Sequence, residues 1–257
     1  MSLDKTKLAQ HSITTMNQSR IRIGTLQPGA VPLSIGITGA RRGVAEFGGG
    51  ARAGVIVKPA TSNELAAECF CALLAQELGM RAPDCAIVAE GPDWLFASID
   101  VSYPNLMQAF KVNLNNPNTA ATQAAVELIA SELASWVNVG RLLAFDVLIQ
   151  NPDRNPGNLL LDGNDFVLID HAQSMSIRPY PNTQKIFQIM KACLDSADIQ
   201  QVRQKAVAAA LTFPSGCNTL PSADLAAHAL ISPFAPNFDT SITNRLSLIS
   251  STVNSNL

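Results

Sequence analysis

Charged and aromatic side chains are both scarce in this chain. Asp, Glu, Lys and Arg make up 15% of its 257 residues, and Phe, Trp and Tyr only 5%. So little charge excludes a self-repelling disordered polymer. The near balance of 20 acidic against 18 basic residues, a net charge of −2, leaves no basic footprint for nucleic acid or an anionic membrane surface. The five cysteines, Cys69, Cys71, Cys85, Cys193 and Cys217, show no metal-type spacing, and their odd number argues against a disulfide framework, which predicts a reducing compartment. No apolar run approaches the roughly 18 to 20 residues that cross a bilayer, and the opening MSLDKTKLAQ has no apolar core for a signal peptide. A cytoplasmic protein is expected. What is plentiful is aliphatic: 47% of residues are hydrophobic, enough for a sizeable core in one large or two small domains.

After a tail at 1–20, the stretches IRIGTL, PLSIGIT, GVAEF, AGVIVK, CAIVAE and WLFASIDV read as strands punctuated by glycine, with one helical interruption at 62–78. From residue 118 the period becomes helical: Val126, Ile129, Leu133 and Trp136 or Val137 form one stripe. Further helices are expected at 185–210 and in DTSITNRLSLISSTV, with Pro-containing loops RPYPNT, TFPSGCNTLPS and SPFAPNF between them. The boundary between a β-rich part (21–115) and a mostly helical part (116–257) falls in LNNPNTA, and a cleft between two such parts is a common place for a ligand.

The densest chemistry lies in AFDVLIQNPDRNPGNLLLDGNDFVLIDHAQ, residues 144–173. Asn151, Asp153, Arg154, Asn155 and Asn158 crowd between an apolar helix and an apolar hairpin turned by Asp162-Gly163-Asn164. Pairing Leu161 with Val167 places Asn158 opposite Asp170 at the open end of that hairpin. Carboxylate and amide oxygens gathered in this way suit Mg²⁺, a hard cation that shares phosphate ligands. Asp153 and Asn158 also match the D-x-x-x-x-N spacing of protein-kinase catalytic loops, where Asp serves the attacking hydroxyl and Asn holds magnesium; Asp170 takes the second metal role. The plainer reading is a turn rich in Asn, Pro, Asp and Gly.

Such chemistry also needs a strand lysine for the phosphates, and AGVIVKP supplies Lys58. Thr61 and Glu64 form a capping box that starts a helix near Ser62, on which Glu64 and Glu68 share a face, so one of them is available to pair with Lys58. Upstream, the turn from Thr38 through Gly39 to Gly43 is the candidate phosphate cover, with Gly48 to Gly50 as the next hairpin turn; Arg41 and Arg42 read as an exposed tip within reach of phosphate. Trp94 and Phe96 read first as core, with an adenine-lining role as the alternative. His11 and His228 have no identifiable partners.

The order of these parts (glycine turn, Lys58, Glu68, FDVLIQNPDRNPGNLLL, LIDHAQ) resembles the HipA-like serine/threonine kinases over residues 33–174. The resemblance implies an α+β, bilobal protein-kinase-like fold, distantly similar to phosphoinositide kinases, with a small β-rich N-lobe carrying one helix and a larger helical C-lobe. It makes Asp153 the catalytic base, Asn158 and Asp170 the magnesium ligands, and Lys58 the phosphate contact with Glu68 as its partner. Asp146 and Arg154 become supports of the loop. Implied with them are ATP and Mg²⁺ as cofactors, a Ser or Thr of a protein as acceptor, and an antitoxin-like or regulatory protein partner. Asn155 stands where the family often has His, and His171-Ala172 follows Asp170 where eukaryotic protein kinases have Phe-Gly. A small-molecule or lipid acceptor, and a catalytically weak nucleotide-binding module, are the alternative functions.

Overall fold

The computed structural model describes residues 19–33, 39–112, 116–180 and 184–257. In the first part the alternating segments form β1 (Arg22–Leu26), β2 (Val31–Pro32), β3 (Arg41–Phe47), β4 (Arg52–Pro59), β5 (Cys85–Glu90) and β6 (Asp93–Ile99), and α1 (Ser62–Glu77) separates β4 from β5. The strands run in the order β1-β5-β6-β4-β3-β2, and β1 also pairs with β3, so five of them close into a ring. The β1–β5 contact is parallel; the other pairings are antiparallel. Period-two patterning explains how the ring fills. Leu26, Ala45, Val55, Val57, Val88 and Ala97 point inward as one small core, whereas Cys85, Ile87 and Phe96, on the opposite face, belong to the larger core that includes α1.

The helix begins where its capping box places it. Thr61 Oγ1 accepts from the Glu64 backbone N–H, and the Glu64 carboxylate accepts from the Thr61 N–H. Leu65 to Ala75 are all buried, so α1 is a core helix whose charged Glu68 must find partners inside.

The remainder comprises α2 (Leu106–Ala109), α3 (Ala120–Ser135), α4 (Val139–Ile149), the hairpin β7 (Leu159–Asp162) and β8 (Asp165–Leu168), then α5 (Lys185–Cys193), α6 (Ser196–Leu211), α7 (Thr219–Ala226), α8 (Ala235–Leu246) and α9 (Ile249–Asn256). The last strand of the ring ends at Ile99 and the first long helix after it starts at Ala120, which brackets the expected change of patterning; residues 113–115 of that stretch lie outside the described residues. The α3 stripe resolves to Trp136, buried beside Phe166 with its indole N–H on Asp165 at 2.8 Å, while Val137 is 85% exposed.

Several expectations are corrected. The helix expected over 185–210 is two helices, because Asp195 caps α6 through the Ala197 and Asp198 N–H groups and ends α5 before it. TFPSGCNTLPS is not all loop: α7 starts inside it at Thr219, with Pro221 in the first turn. Likewise α8 starts at Ala235 with Pro236 beside it. A helix tolerates proline there because the first N–H groups have no helical partner. His228 does have a partner, Ser19 Oγ at 2.8 Å from Nε2; His11 lies outside the described residues. Among the described residues no single helix is long and apolar enough to cross a membrane.

Candidate active site

The polar loop is mounted on α4, which is apolar and buried from Leu142 to Ile149 except for one carboxylate, Asp146. α4 ends with Gln150 in the left-handed region, φ 53°, and this turns the chain sharply into Asn151–Asn158. Asp146 is 1% exposed and accepts twice from Arg154 Nε, at 3.2 Å to each oxygen, and from Asn151 Nδ2 at 3.4 Å. Burial, the largest influence, pushes its carboxyl up to about 6 despite the guanidinium beside it. Arg154, 2% exposed, then donates from Nη1 to the carbonyls of Asn158 (3.2 Å) and Ile169 (2.6 Å). One buried arginine therefore ties the helix, the loop and the strand exit next to Asp170 into a single unit.

Within the loop the backbone of Asp153 is held on three sides. Its N–H donates to Asn151 Oδ1 (3.0 Å), and its carbonyl accepts from Asn155 Nδ2 (2.9 Å) and Asn158 Nδ2 (3.1 Å). Asn155, which stands where the family often has His, is part of this bracing and also caps the short 3-10 turn Pro156–Asn158 by accepting from the Gly157 N–H. The Asp153 carboxylate is 41% exposed and ion-paired with Lys185, the first residue of α5.

The hairpin register differs from expectation by one residue. Leu161 pairs with Phe166 and Leu160 with Val167, so Asn158 faces Ile169, whose N–H donates to the Asn158 carbonyl at 3.2 Å, and does not face Asp170. The cause is the turn. Gly163, φ 61°, opens a two-residue Gly163-Asn164 loop closed by the Asp162–Asp165 pair, which is tighter than the three-residue loop the expected register requires. Asp170 lies beyond the strand, with φ 62°.

That left-handed turn carries the Asp170 side chain to Lys58, whose ammonium is 2.7 Å from Asp170 Oδ1 and also ion-paired with Glu68. Glu68, 1% exposed, is thus the partner of Lys58, whereas Glu64 is engaged in the cap and with Gln173 Nε2. Glu68 Oε2 also accepts from the His171 backbone N–H at 2.8 Å. Burial works against both charges. The two carboxylates nevertheless hold the Lys58 ammonium above the ordinary lysine value, and Lys58 together with His171 holds Glu68 below the ordinary glutamate value.

His171 is the member of this cluster that the sequence did not single out. It is 1% exposed and packs edge-on to Phe145 of α4, with Nδ1 3.6 Å from Glu68 Oε2. Burial pushes its imidazole below the ordinary histidine value, so the ring is neutral near pH 7. Only its position after Asp170, where eukaryotic protein kinases carry Phe, offered a signal, and that signal points to packing.

The glycine turn is less well assembled. Thr38 lies outside the described residues. Gly39 has φ 66°, but Gly43 is not in a turn: it pairs with Val55 in the middle of β3, and a β-carbon there would come within 3.0 Å of Ala30. Arg41 and Arg42 are paired with Glu90 of β5 and with Asp100 just past the end of β6. Gly48–Gly50 does turn β3 into β4. Phe96 is buried, 5.5 Å from the Lys58 ammonium at its ring centroid, while Trp94 is 43% exposed and does not pack in the core as expected.

The model of the family described as HipA-like kinase matches residues 54–250. The chain belongs to the HipA-like kinase family. Among solved structures, this HipA-like kinase is similar to the Helicobacter pylori proinflammatory kinase CtkA, at 13% identity and a TM-score of 0.51, over 91% of this chain and 95% of that one. It is also similar to HipA of Shewanella oneidensis MR-1, solved with HipB and operator DNA, at 12% identity and a TM-score of 0.53; there 86% of this chain covers 66% of that one. No curated protein matches the sequence. At these identities the two structures establish a shared mixed α and β fold, and the family assignment supports phosphotransfer in general.

The oxygen donors suit a hard divalent cation. Two carboxylates face one ammonium around Lys58, which leaves a negative surplus. Asn158 uses its Nδ2 on the loop, so its amide oxygen is directed away from that bond, and among the described residues no group donates to it. Among the described residues no group of three or more His, Cys, Asp or Glu side chains is arranged so as to hold a metal ion by itself.

Proposed function

We propose that this HipA-like kinase transfers the γ-phosphoryl group of ATP, with Mg²⁺, to a Ser or Thr hydroxyl of a protein. The observation that carries the reading is the convergence of Lys58, Glu68 and Asp170, which come from a strand, a helix and a hairpin exit far apart in sequence. Three ionisable groups are brought together and largely buried there at a desolvation cost that a packing role does not require.

In this reading Lys58 holds the α- and β-phosphates, and Glu68 keeps its ammonium charged and aimed. Asp170 and Asn158 would hold Mg²⁺, which when bound neutralises charge on the phosphates. The Asp153 carboxylate accepts the proton of the acceptor hydroxyl as the new O–P bond forms. Arg154 and Asp146 keep Asp153 and Asp170 in fixed relation, and Gly39 belongs to the turn that approaches the phosphates. The β-rich ring with α1 forms an N-lobe over residues 21–115 and the helices a C-lobe over 116–257, with the site between them. By kinship with a family that includes HipA solved with HipB, a regulatory protein partner belongs to the same proposal. The described free cysteines agree with a reducing, cytoplasmic location.

The test is incubation of the purified protein with γ-labelled ATP, Mg²⁺ and a soluble extract. Label should enter protein Ser or Thr, and Asp153→Ala should abolish the transfer while ATP still binds. Label appearing only in small molecules or lipid would move the acceptor class, and full transfer by Asp153→Ala would sink the assignment of the base.

A further inference from the structure

The loop has no usable cation of its own. Its single basic residue, Arg154, is 2% exposed and turned inward onto Asp146 and two backbone carbonyls. Lys58 is held between two carboxylates. Phosphoryl transfer spreads negative charge over the equatorial oxygens of the moving group, and positively charged groups aimed at that position lower the barrier. The cation beside Asp153 comes instead from α5: Lys185 Nζ lies on Asp153 Oδ1, with the lysine side chain 54% exposed.

The mounting of Lys185 is rigid. Gln184 before it is buried and donates from Nε2 to the Leu143 carbonyl of α4 at 2.8 Å, and Ile186 and Phe187 after it are buried in the large core. The lysine is thus fixed through its neighbours to the helix that also carries Asp146. Its placement does nothing for α5, since a cation at a helix N-terminus opposes the helix dipole. Nor does an ion pair this exposed contribute much to stability.

We propose that Lys185 is a catalytic residue that contacts the transferring phosphoryl group, supplying from α5 the positive charge absent from the loop, and that its contact with Asp153 sets it beside the acceptor hydroxyl. The proposal rests on the phosphotransfer reading above. Lys185 makes and breaks no bond; it stabilises charge as the Pγ–O bond to ADP breaks and the bond to the acceptor oxygen forms.

A planar or tetrahedral fluoride complex mimics the transferring group and requires no turnover. The measurement is therefore the affinity of the full chain for MgADP, alone and with aluminium fluoride, in wild type, Lys185→Met and Lys185→Arg. Expected are tighter binding by wild type when aluminium fluoride is present, loss of at least about tenfold of that gain in Lys185→Met with MgADP affinity unchanged within about twofold, and recovery of most of it in Lys185→Arg. With labelled ATP and casein as a generic acceptor, kcat of Lys185→Met should fall about 100-fold with the KM for ATP nearly constant, a loss of the size seen when one transition-state donor is removed. Retention of the full aluminium fluoride gain by Lys185→Met would overturn the role of Lys185 while leaving the nucleotide site intact. Failure of wild type to bind MgADP at all would overturn the phosphotransfer reading, and this inference with it.

Discussion

Asp146 and Glu68 are both buried carboxylates, yet their environments push them in opposite directions. Burial prevails for Asp146, which in the folded protein keeps its proton up to about pH 6, whereas unfolded it ionises near the ordinary value of 3.8. Between those values the unfolded chain loses the proton first, so stability falls as pH rises, by on the order of 3 kcal/mol if fully expressed. Glu68 is depressed by Lys58 and His171, so its contribution is present above the ordinary glutamate value of 4.5 and is lost as pH falls below it. Urea unfolding of wild type and Asp146→Asn at pH 4.5 and 6.5 separates the two. Wild type should lose stability relative to the variant as pH rises, and a constant difference would mean that Asp146 is ionised throughout. Lys58, Glu64, Glu68 and Asp153 could be picked out from a strand end, a capping box and a D-x-x-x-x-N spacing, whereas Asp146 entered as a support of the loop only through the family resemblance. Choosing Glu68 over Glu64 needed the family resemblance, because both share one helix face. The contacts of His171 with Phe145 and of Lys185 with Asp153 are tertiary and leave no local pattern in the chain.

At the scale of elements, the site depends on how closely α4 can approach α6. A β-carbon on Gly140 would come within 2.4 Å of the Lys205 backbone, which cannot move aside as a side-chain tip can. Gly140→Ala should therefore cost about 1 to 3 kcal/mol, the range for overpacking, read as a lower urea midpoint. Because α4 carries Asp146 and leads into the loop, the variant's kcat should fall more than its KM for ATP rises. A stability equal to wild type would show that the helices can separate without cost. The element errors have one kind of cause. Proline was read as a breaker where it sits in a first turn, at Pro221 and Pro236, and one residue of hairpin register depended on whether Gly163 opened a two- or a three-residue loop. Strands β1, β3, β4, β5 and β6 were legible because alternation and bounding glycines agree, but their closure into a ring depends on the long-range β1–β3 contact, which no window of sequence contains.

Across the whole molecule, Glu68 is the stitch. It lies on the helix packed against the ring, and it accepts from Lys58 of the ring on one side and from the backbone beyond the hairpin on the other. A ligand that engages Lys58 and Asp170 together should stabilise the molecule as a unit. Thermal unfolding with ATP should shift upward only when Mg²⁺ is added, by the equivalent of about 2.7 kcal/mol at a ligand concentration 100 times Kd, and Asp170→Ala should lose that shift. An equal shift in the variant would place the metal elsewhere.

The closed ring also restricts how an acceptor is recognised. Among the described residues each of the five ring strands is flanked on both sides. The hairpin is covered as well, by the Pro104 carbonyl against Leu161 on one edge and by the Arg81 carbonyl against Leu168 on the other. The remaining edge belongs to the two-residue β2, where Pro32 has no N–H to offer. Among the described residues an extended peptide brought here finds no long backbone ladder to join. Under the proposed function, a protein acceptor is chosen by side chains meeting side chains, and its selection follows surface shape and charge around Asp153 and α5 rather than any readiness of its own segment to become a strand.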